Sequence, residues 1–195
     1  MEGRKPPEFN LELMADRANV KEVIKGVLHT IFFHRFFTPL YPATHDVLDL
    51  TLPYVSEDDI ESLVEQRANA LVRQLDLLST PPQAAQRSNR GQLVVQFLEK
   101  KRRKGWFVAK ADEETVWENW VIDFVLTPAR NEADAARNRQ LMEASLQKAA
   151  MTIVSVVNKE RKHIPPITTA DTNPFPYQIL VNPKSDGWGH KMGIF

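Results

Sequence analysis

The fold is decided by Leu93-Val94-Val95-Gln96-Phe97 and Trp120-Val121-Ile122-Asp123-Phe124-Val125-Leu126, two apolar runs of the kind that forms β-strands. Side chains alternate between the two faces of a strand, so Trp120 shares a face with Ile122 and Phe124. Strands that follow each other closely in sequence favour antiparallel pairing. We therefore predict a long hairpin from Gln92 to Leu126.

Three amphipathic helices surround this hairpin in the sequence. The first is predicted from Asn19 to about Arg35, with Asn19 as its cap and Glu22 in the capping-box position. Ser56 is the predicted cap of the second helix, because acidic residues follow it at once. The apolar face of this helix comprises Ile60, Leu63, Val64, Ala68, Leu71, Val72 and Leu75. The third helix is predicted from Asn131 to Asn158, with a buried stripe of Leu146, Ala149, Ala150, Ile153, Val156 and Val157.

Three shorter segments complete the predicted secondary structure. Alternating apolar residues predict strands at Phe9–Leu13, Leu48–Tyr54 and Tyr177–Val181. Phe36–His45 contains two prolines and interrupts the pattern, and Ser79–Gly91 has the composition of a polar loop. The order β, α, β, α, β, β, α, β predicts an α+β fold in which three main helices pack on an antiparallel sheet.

Length and composition limit the possible classes of protein. A chain of 195 residues fits one domain, residues 1–195, with a short flexible N-terminus (1–7) and an irregular tail (182–195). Lys and Arg number 25, as do Asp and Glu, so no overall field attracts nucleic acid or a membrane. Cysteine is absent, which excludes disulfides and thiolate metal sites. Since neither a signal peptide nor a membrane-spanning run is present, we expect a soluble cytoplasmic protein.

The residue patterns of common enzymes are missing. The seven glycines form no phosphate-binding loop, and no serine lies in a nucleophile elbow. His29 and His34 are five residues apart and lie on different sides of the predicted helix, which favours structural or surface roles over metal binding. The acidic residues Asp112, Glu113 and Glu114 favour a solvated turn, or ion pairs with nearby bases, over a cation site. We expect no catalytic residue, no cofactor and no bound metal.

The tip of the hairpin carries the most unusual segment of the chain. A basic run there leads through Gly105 into Trp106 and Phe107, and it consists of Lys100, Lys101, Arg102, Arg103 and Lys104. The basic residues fit three roles: a solvated edge that discourages aggregation, a site for anionic phosphates, or the charged rim of a protein interface. Trp106 and Phe107 either fold back onto the core or stay exposed for a partner. Farther along, Trp117 and Trp120 are expected on opposite faces of their strand, with Trp120 in the core.

Several stretches, taken in order, resemble the autophagy-related protein 101 family. The first is Val27-Leu28-His29-Thr30-Ile31 followed by His34-Arg35, which is similar to the first helix of that family. Further matches are Gly91-Gln92 leading to Phe97, the basic run, Trp106-Phe107, and Trp117-Glu118-Asn119-Trp120. The last are Ile153-Val154 through Val157-Asn158, His163-Ile164-Pro165-Pro166, and Pro176-Tyr177-Gln178-Ile179.

The resemblance implies a HORMA domain and a non-enzymatic adaptor subunit of the autophagy-initiation kinase complex. Such a subunit pairs with the HORMA domain of autophagy-related protein 13, stabilises it, and acts at the phagophore assembly site. It also implies that Trp106 and Phe107 form an exposed finger that recruits downstream autophagy factors. Animal members separate these two aromatics by a proline, and the short tail here is that of a fungal-type member. We place the partner interface on the long helix, at Leu141, Leu146, Ile153 and Val157.

A second hypothesis is of a different class. The basic run from Lys100 to Lys104 would make the chain a binding module for an anionic membrane or a nucleic acid. Such binding weakens steeply with salt, because each neutralised phosphate releases counterions. The adaptor hypothesis, in contrast, expects no nucleic-acid partner.

Overall fold

The computed structural model describes residues 5–77, 90–101, 113–169 and 171–183. Along these residues the chain forms, in order, β1 (Glu8–Ala15), α1 (Val20–Arg35), β2 (Ala43–Val47), β3 (Leu50–Tyr54), α2 (Asp58–Leu77), β4 (Arg90–Lys101), β5 (Glu113–Leu126), α3 (Glu132–Lys159) and β6 (Tyr177–Val181). The predicted mixture of helices and strands, with three main helices, is confirmed.

The larger sheet is mainly antiparallel. Its strands lie in the order β1-β5-β4-β6, and β4 pairs antiparallel with both β5 and β6, which confirms the predicted hairpin. β1 pairs parallel with β5, so the predicted antiparallel pairing does not extend to this strand. Apolar alternation shows which residues of a strand are buried but not its direction. The parallel register sets Phe9 beside Trp120, with ring centroids 4.9 Å apart.

The core lies between one face of this sheet and the three helices. α1 is the central helix, since it contacts both α2 and α3, while α3 also packs on β1 and α2 on β4 and β6. The predicted apolar face of the second helix is confirmed, because it joins this core. The sheet contributes alternate residues of each strand: Leu11, Leu13, Leu93, Val95, Phe97, Trp120, Ile122, Phe124 and Ile179.

The segment after α1 forms a second, two-stranded sheet. β2 and β3 pair antiparallel around a tight turn at Leu48 and Asp49, where the sequence predicted one strand from Leu48 to Tyr54. Leu48 has a φ of 55°, a left-handed conformation that is uncommon for residues other than glycine. The predicted strand is thus confirmed over Leu50–Tyr54, whereas its first two residues form a turn that carries neither Gly nor Asn at its first position.

The helix starts also differ from the sequence prediction. Asn19 makes no capping bond; its backbone N–H and its Nδ2 both donate to Oδ1 of Asp16 at 2.8 Å. The predicted capping box with Glu22 is thus wrong, since Asp16 fixes the turn before α1. α2 begins at Asp58, two residues beyond the predicted cap Ser56.

Some predicted segments lie wholly or partly outside the described residues. These are the N-terminus up to residue 4, the polar loop up to residue 89 and the tail from residue 184. The last two residues of the predicted loop, Arg90 and Gly91, belong to β4. Within the part of the chain that is described, no helix is long and apolar enough to cross a bilayer.

Two leucines provide a direct test of where the core lies. Leu28 is fully buried in α1, whereas Leu141 is 39% exposed on α3. We expect Leu28→Ala to lower the free energy of unfolding by about 2–5 kcal/mol, because it leaves a cavity. The matched variant Leu141→Ala should change it by less than about 0.5 kcal/mol. Chemical denaturation measures the free energy of unfolding of both variants. Equal losses of stability would contradict the burial of Leu28, and with it of α1, in the core.

Candidate functional site

The β4–β5 hairpin extends beyond the rest of the sheet. Its last four residue pairs, from Leu98↔Val116 to Lys101↔Glu113, come after the final pair that β4 makes with β6, Phe97↔Tyr177. The segment that joins the strands, residues 102–112, lies outside the described residues. Trp106, Phe107, Arg102, Arg103 and Lys104 belong to this segment.

The first residues of the basic run stand on the projecting part of β4. Lys100 is exposed and paired in register with Glu114, and Lys101 with Glu113. Lys100 therefore lies directly across from an acid on the neighbouring strand, a cross-strand arrangement that favours the hairpin. The predicted ion pairing between the acidic cluster and the basic run stays a prediction, because most of the side chains of both segments lie outside the described residues.

A β-bulge marks the base of the projecting hairpin. The register shifts between Phe97 and Leu98, so that β5 has one extra residue, Trp117, opposite this point. The Trp117 ring centroid lies 5.7 Å from that of Phe97, on the same face as Trp120. The prediction that the two tryptophans lie on opposite faces is wrong, because the bulge cancels the alternation on which it was based.

Trp117 anchors the hairpin to the chain that follows α3. Its ring packs 5.2 Å from Phe175 and 5.7 Å from His163, centroid to centroid. Phe37, just after α1, lies on the same aromatic cluster, 6.4 Å from Trp117. Only 6% of Trp117 is exposed. The base of the hairpin is therefore held by segments that are distant in sequence.

Next to Trp117, the buried carboxylate of Glu118 is the centre of a polar cluster. Both its oxygens accept from Nε of Arg35, at 2.9 and 3.0 Å. Oε1 also accepts from Nε1 of Trp120 at 2.6 Å, and Oε2 lies 2.7 Å from Nε2 of His163. Arg35 donates in addition to the backbone oxygen of Glu160 at 3.1 Å. A buried ion pair persists only when its remaining polar atoms are satisfied, and here they are.

This cluster joins the end of α1, the base of the hairpin and the segment after α3. From the sequence, Glu118 and His163 were identified only as parts of the family resemblance. A signal was nevertheless present, because Glu118 occupies a core-facing position next to Trp117 and two residues before Trp120. An acid in such a place requires a buried partner.

The four residues predicted as a partner interface on α3 are not equivalent. Leu146, Ile153 and Val157 are buried in the core of the chain itself and offer no area to a partner. Leu141 is exposed, as are Met151 (64%) and Val154 (36%). These three make up the exposed, outer side of α3: at about 100° per residue Met151 lies opposite the buried stripe, while Leu141 and Val154 lie on its two flanks, about 140° apart around the helix. A partner that binds α3 meets this outer side.

The described histidines do not form one site: His29 and His45 both lie beside Tyr54, whereas His163 belongs to the Glu118 cluster. His29 is buried in α1, where its ring stacks on Tyr54 with centroids 4.0 Å apart, and its Nδ1 accepts from the backbone N–H of Val55 at 3.4 Å. Burial, reinforced by the charge of Lys25, lowers the pKa of His29 to about 4. Burial also lowers the pKa of His34. In the described part of the chain, no three metal-binding side chains are close enough to hold an ion.

Comparison with known proteins gives one family. A family model described as autophagy-related protein 101 matches residues 12–171. The autophagy-related protein 101 of Schizosaccharomyces pombe is 30% identical over 181 residues, which cover 92% of this chain and 89% of the relative. The Arabidopsis thaliana protein of the same name is 26% identical over 195 residues, covering 90% of this chain and 86% of the relative.

The polar cluster around Glu118 predicts a large loss of stability when its carboxylate is replaced by a nearly isosteric amide. Glu118→Gln leaves the charge of Arg35 buried without a counter-charge, so we expect the free energy of unfolding to fall by about 3–5 kcal/mol. The exposed control Glu57→Gln should change it by less than about 0.5 kcal/mol. Urea denaturation at neutral pH compares them. If both variants were as stable as the parent, the cluster would not hold these elements together.

His29 predicts a pH dependence of stability. Its pKa is about 4 in the folded chain and 6.5 ordinarily, so the unfolded chain takes up a proton first as the pH falls. The stability associated with neutral His29 is complete above about pH 6.5 and is lost towards pH 4, by about 3 kcal/mol in total. The variant His29→Leu should show a correspondingly shallower loss over this interval, measured by denaturation at a series of pH values. Parallel curves for the two proteins would contradict the prediction.

Proposed function

The chain belongs to the autophagy-related protein 101 family, which supports a role in autophagy, and we propose that it is a non-enzymatic adaptor subunit of the autophagy-initiation kinase complex. In this proposal residues 1–195 form one HORMA domain, which pairs with the HORMA domain of autophagy-related protein 13 and stabilises it. The site of action is cytoplasmic, at the phagophore assembly site. The family match over residues 12–171 is the observation that carries the proposal.

The shape of the hairpin supports a role in recruitment. β4 and β5 continue for four residue pairs past β6, and the Glu118 cluster and Trp117 fix their base. We therefore propose Trp106 and Phe107, which follow this base in the sequence, as the contact residues for downstream autophagy factors. Aromatic side chains bury roughly 150–250 Å² each and dominate many interfaces. The basic residues from Lys100 to Lys104 are proposed as the polar rim of this contact.

The outer side of α3 supports a role in pairing. Met151, Val154 and Leu141 expose apolar surface on a helix whose opposite side is fixed in the core. Helix faces of this kind are common docking surfaces, because the backbone does not have to become ordered on binding. We propose that this outer side, with Leu141 retained from the sequence prediction, contacts the partner HORMA domain.

One experiment tests the pairing with autophagy-related protein 13 and distinguishes it from the recruitment role proposed for Trp106 and Phe107. The chain is co-purified with the HORMA domain of autophagy-related protein 13 from the same organism, and the mass of the complex is measured in solution. We expect a one-to-one complex. The double variant Met151→Glu, Val154→Glu should weaken it about tenfold or more, because two charges are then desolvated at the contact.

Trp106→Ala with Phe107→Ala is the control, and it should form the complex as tightly as the parent chain. A parent chain that stays monomeric in the mixture would refute the pairing. If the Met151→Glu, Val154→Glu variant formed the complex as tightly as the parent chain, the partner interface would lie outside the outer side of α3. A large fall in melting temperature on Trp106→Ala would show that this ring belongs to the core. That result would refute its proposed role as an exposed contact residue.

A further inference from the structure

The larger sheet has a second face, opposite the helices, and side chains are buried on this outer face as well. The even-numbered residues of β4 point to it, because the odd-numbered ones enter the core. Val94 is nevertheless 0% exposed and Leu98 only 3%. Neither belongs to the core cluster between the sheet and the helices. Water is therefore excluded from apolar side chains on the outer face too.

Val94 is the centre of an apolar row that crosses three strands. It pairs in register with Val121 of β5 on one side and with Leu180 of β6 on the other. Both neighbours are only half-buried. Side chains of the same layer flank a residue of a central strand but do not lie above it. The complete burial of Val94 therefore requires a further layer of atoms on the outer face.

The polar side chains of the outer face are bonded to one another. Nε2 of Gln178 donates to Oε1 of Gln96 at 2.7 Å, and Nε2 of Gln96 donates to Oδ1 of Asn119 at 2.9 Å. Gln96 and Asn119 are each 6% exposed. Water can satisfy an exposed amide, whereas a covered amide requires a protein partner. This ladder of amides thus fits a face that is covered.

The described helices do not supply the cover. α1, α2 and α3 enclose the core on the opposite face of the sheet. The segment between α3 and β6 packs on that same side, where Phe175 contacts Trp117. This leaves the residues outside the described ranges as the source of the cover.

One of these segments begins at the edge of the outer face, directly after β6. Asn182 ends the strand in a left-handed conformation, with a φ of 43°. Its N–H donates to the backbone oxygen of Gln92 at 2.8 Å, and its Oδ1 accepts from the N–H of Gln92 at 2.7 Å. Pro183 has no N–H and cannot continue the pairing. The sequence that follows, residues 184–195, contains four large apolar side chains: Trp188, Met192, Ile194 and Phe195.

The length of this segment suits the width of the face. Neighbouring strands are about 4.8 Å apart, so the row from Leu180 to Val121 spans about 10 Å. Trp188 follows Pro183 by five residues, which can extend over up to about 17 Å. The indole of Trp188 can therefore reach Val94.

The other segments fit the outer face less well. Residues 78–89 contain a single large apolar side chain, Leu78, and no aromatic ring. Residues 102–112 connect the strands at the far end of the hairpin. Residues 1–4 precede β1, which is the opposite edge strand. Position and composition thus favour the segment after β6.

We propose that residues 184–195 fold back over the outer face of the sheet, with the ring of Trp188 on Val94. The contact buries an aromatic side chain of roughly 150–250 Å². It also closes an apolar face that would otherwise be open to other proteins. This intramolecular surface is separate from the hairpin tip and from the outer side of α3, and it does not depend on the partner that the chain binds.

The absence of cysteine from the chain provides a direct test. Val121→Cys places one thiol on the outer face, and its rate of alkylation by N-ethylmaleimide measures access to this face. A thiol beneath a cover reacts only when the cover opens. We expect Trp188→Ala to raise this rate about tenfold or more, and the control His190→Ala, in the same segment, to change it by less than about twofold.

A matched thiol on the same strand controls for general loosening of the chain. Thr115→Cys changes an exposed residue of β5, beyond the last pair that β4 makes with β6. Its alkylation should not respond to Trp188→Ala. Trp106→Ala, which removes the indole at the hairpin tip, should leave the alkylation of the Val121→Cys thiol unchanged.

A second measurement uses the parent chain and does not depend on the folding of a variant. We expect nuclear Overhauser effects between the indole protons of Trp188 and the methyl groups of Val94, since the two side chains are in contact. Their absence would overturn the proposal. So would a Val121→Cys alkylation rate that Trp188→Ala leaves unchanged or that Trp106→Ala raises, or an equal acceleration of the Thr115→Cys thiol.

Discussion

The buried carboxylate of Glu118 is the constraint on which the arrangement of the elements depends. A fully buried charge is costly unless it is paired and hydrogen-bonded, and Glu118 is 0% exposed. Its partners come from three places: Arg35 at the end of α1, Trp120 two residues along β5, and His163 after α3. None of these elements can move away without leaving a charge or a polar atom unsatisfied.

The bulge at Trp117 makes this constraint possible. Without the extra residue, strict alternation would send either Trp117 or Glu118 to the face opposite the helices. With it, the ring of Trp117 reaches Phe97 and Phe175 while the carboxylate of Glu118 reaches Arg35. Aromatic packing and the ion pair therefore act on consecutive residues. Beyond them β4 and β5 pair with each other for four more residue pairs, past the last pair that β4 makes with β6.

Much of the fold followed from periodicity, and its limits have identifiable causes. The helices and the hairpin were predictable because their apolar residues repeat at 3.6 or 2 positions over long segments. The parallel direction of β1 was not, since alternation carries no information on strand direction. Asp16 was missed as the residue that fixes the start of α1, because Asn19 and Glu22 fit a capping box that the folded chain does not form.

The site was less predictable than the fold, for a similar reason. Sequence patterns show burial one element at a time, whereas the partners of Glu118 are separated from it by 45 and 83 residues. The same limit explains the interface prediction on α3. Leu146, Ile153 and Val157 were selected as the strongest apolar stripe, and the strongest stripe of a helix is the one that its own core uses.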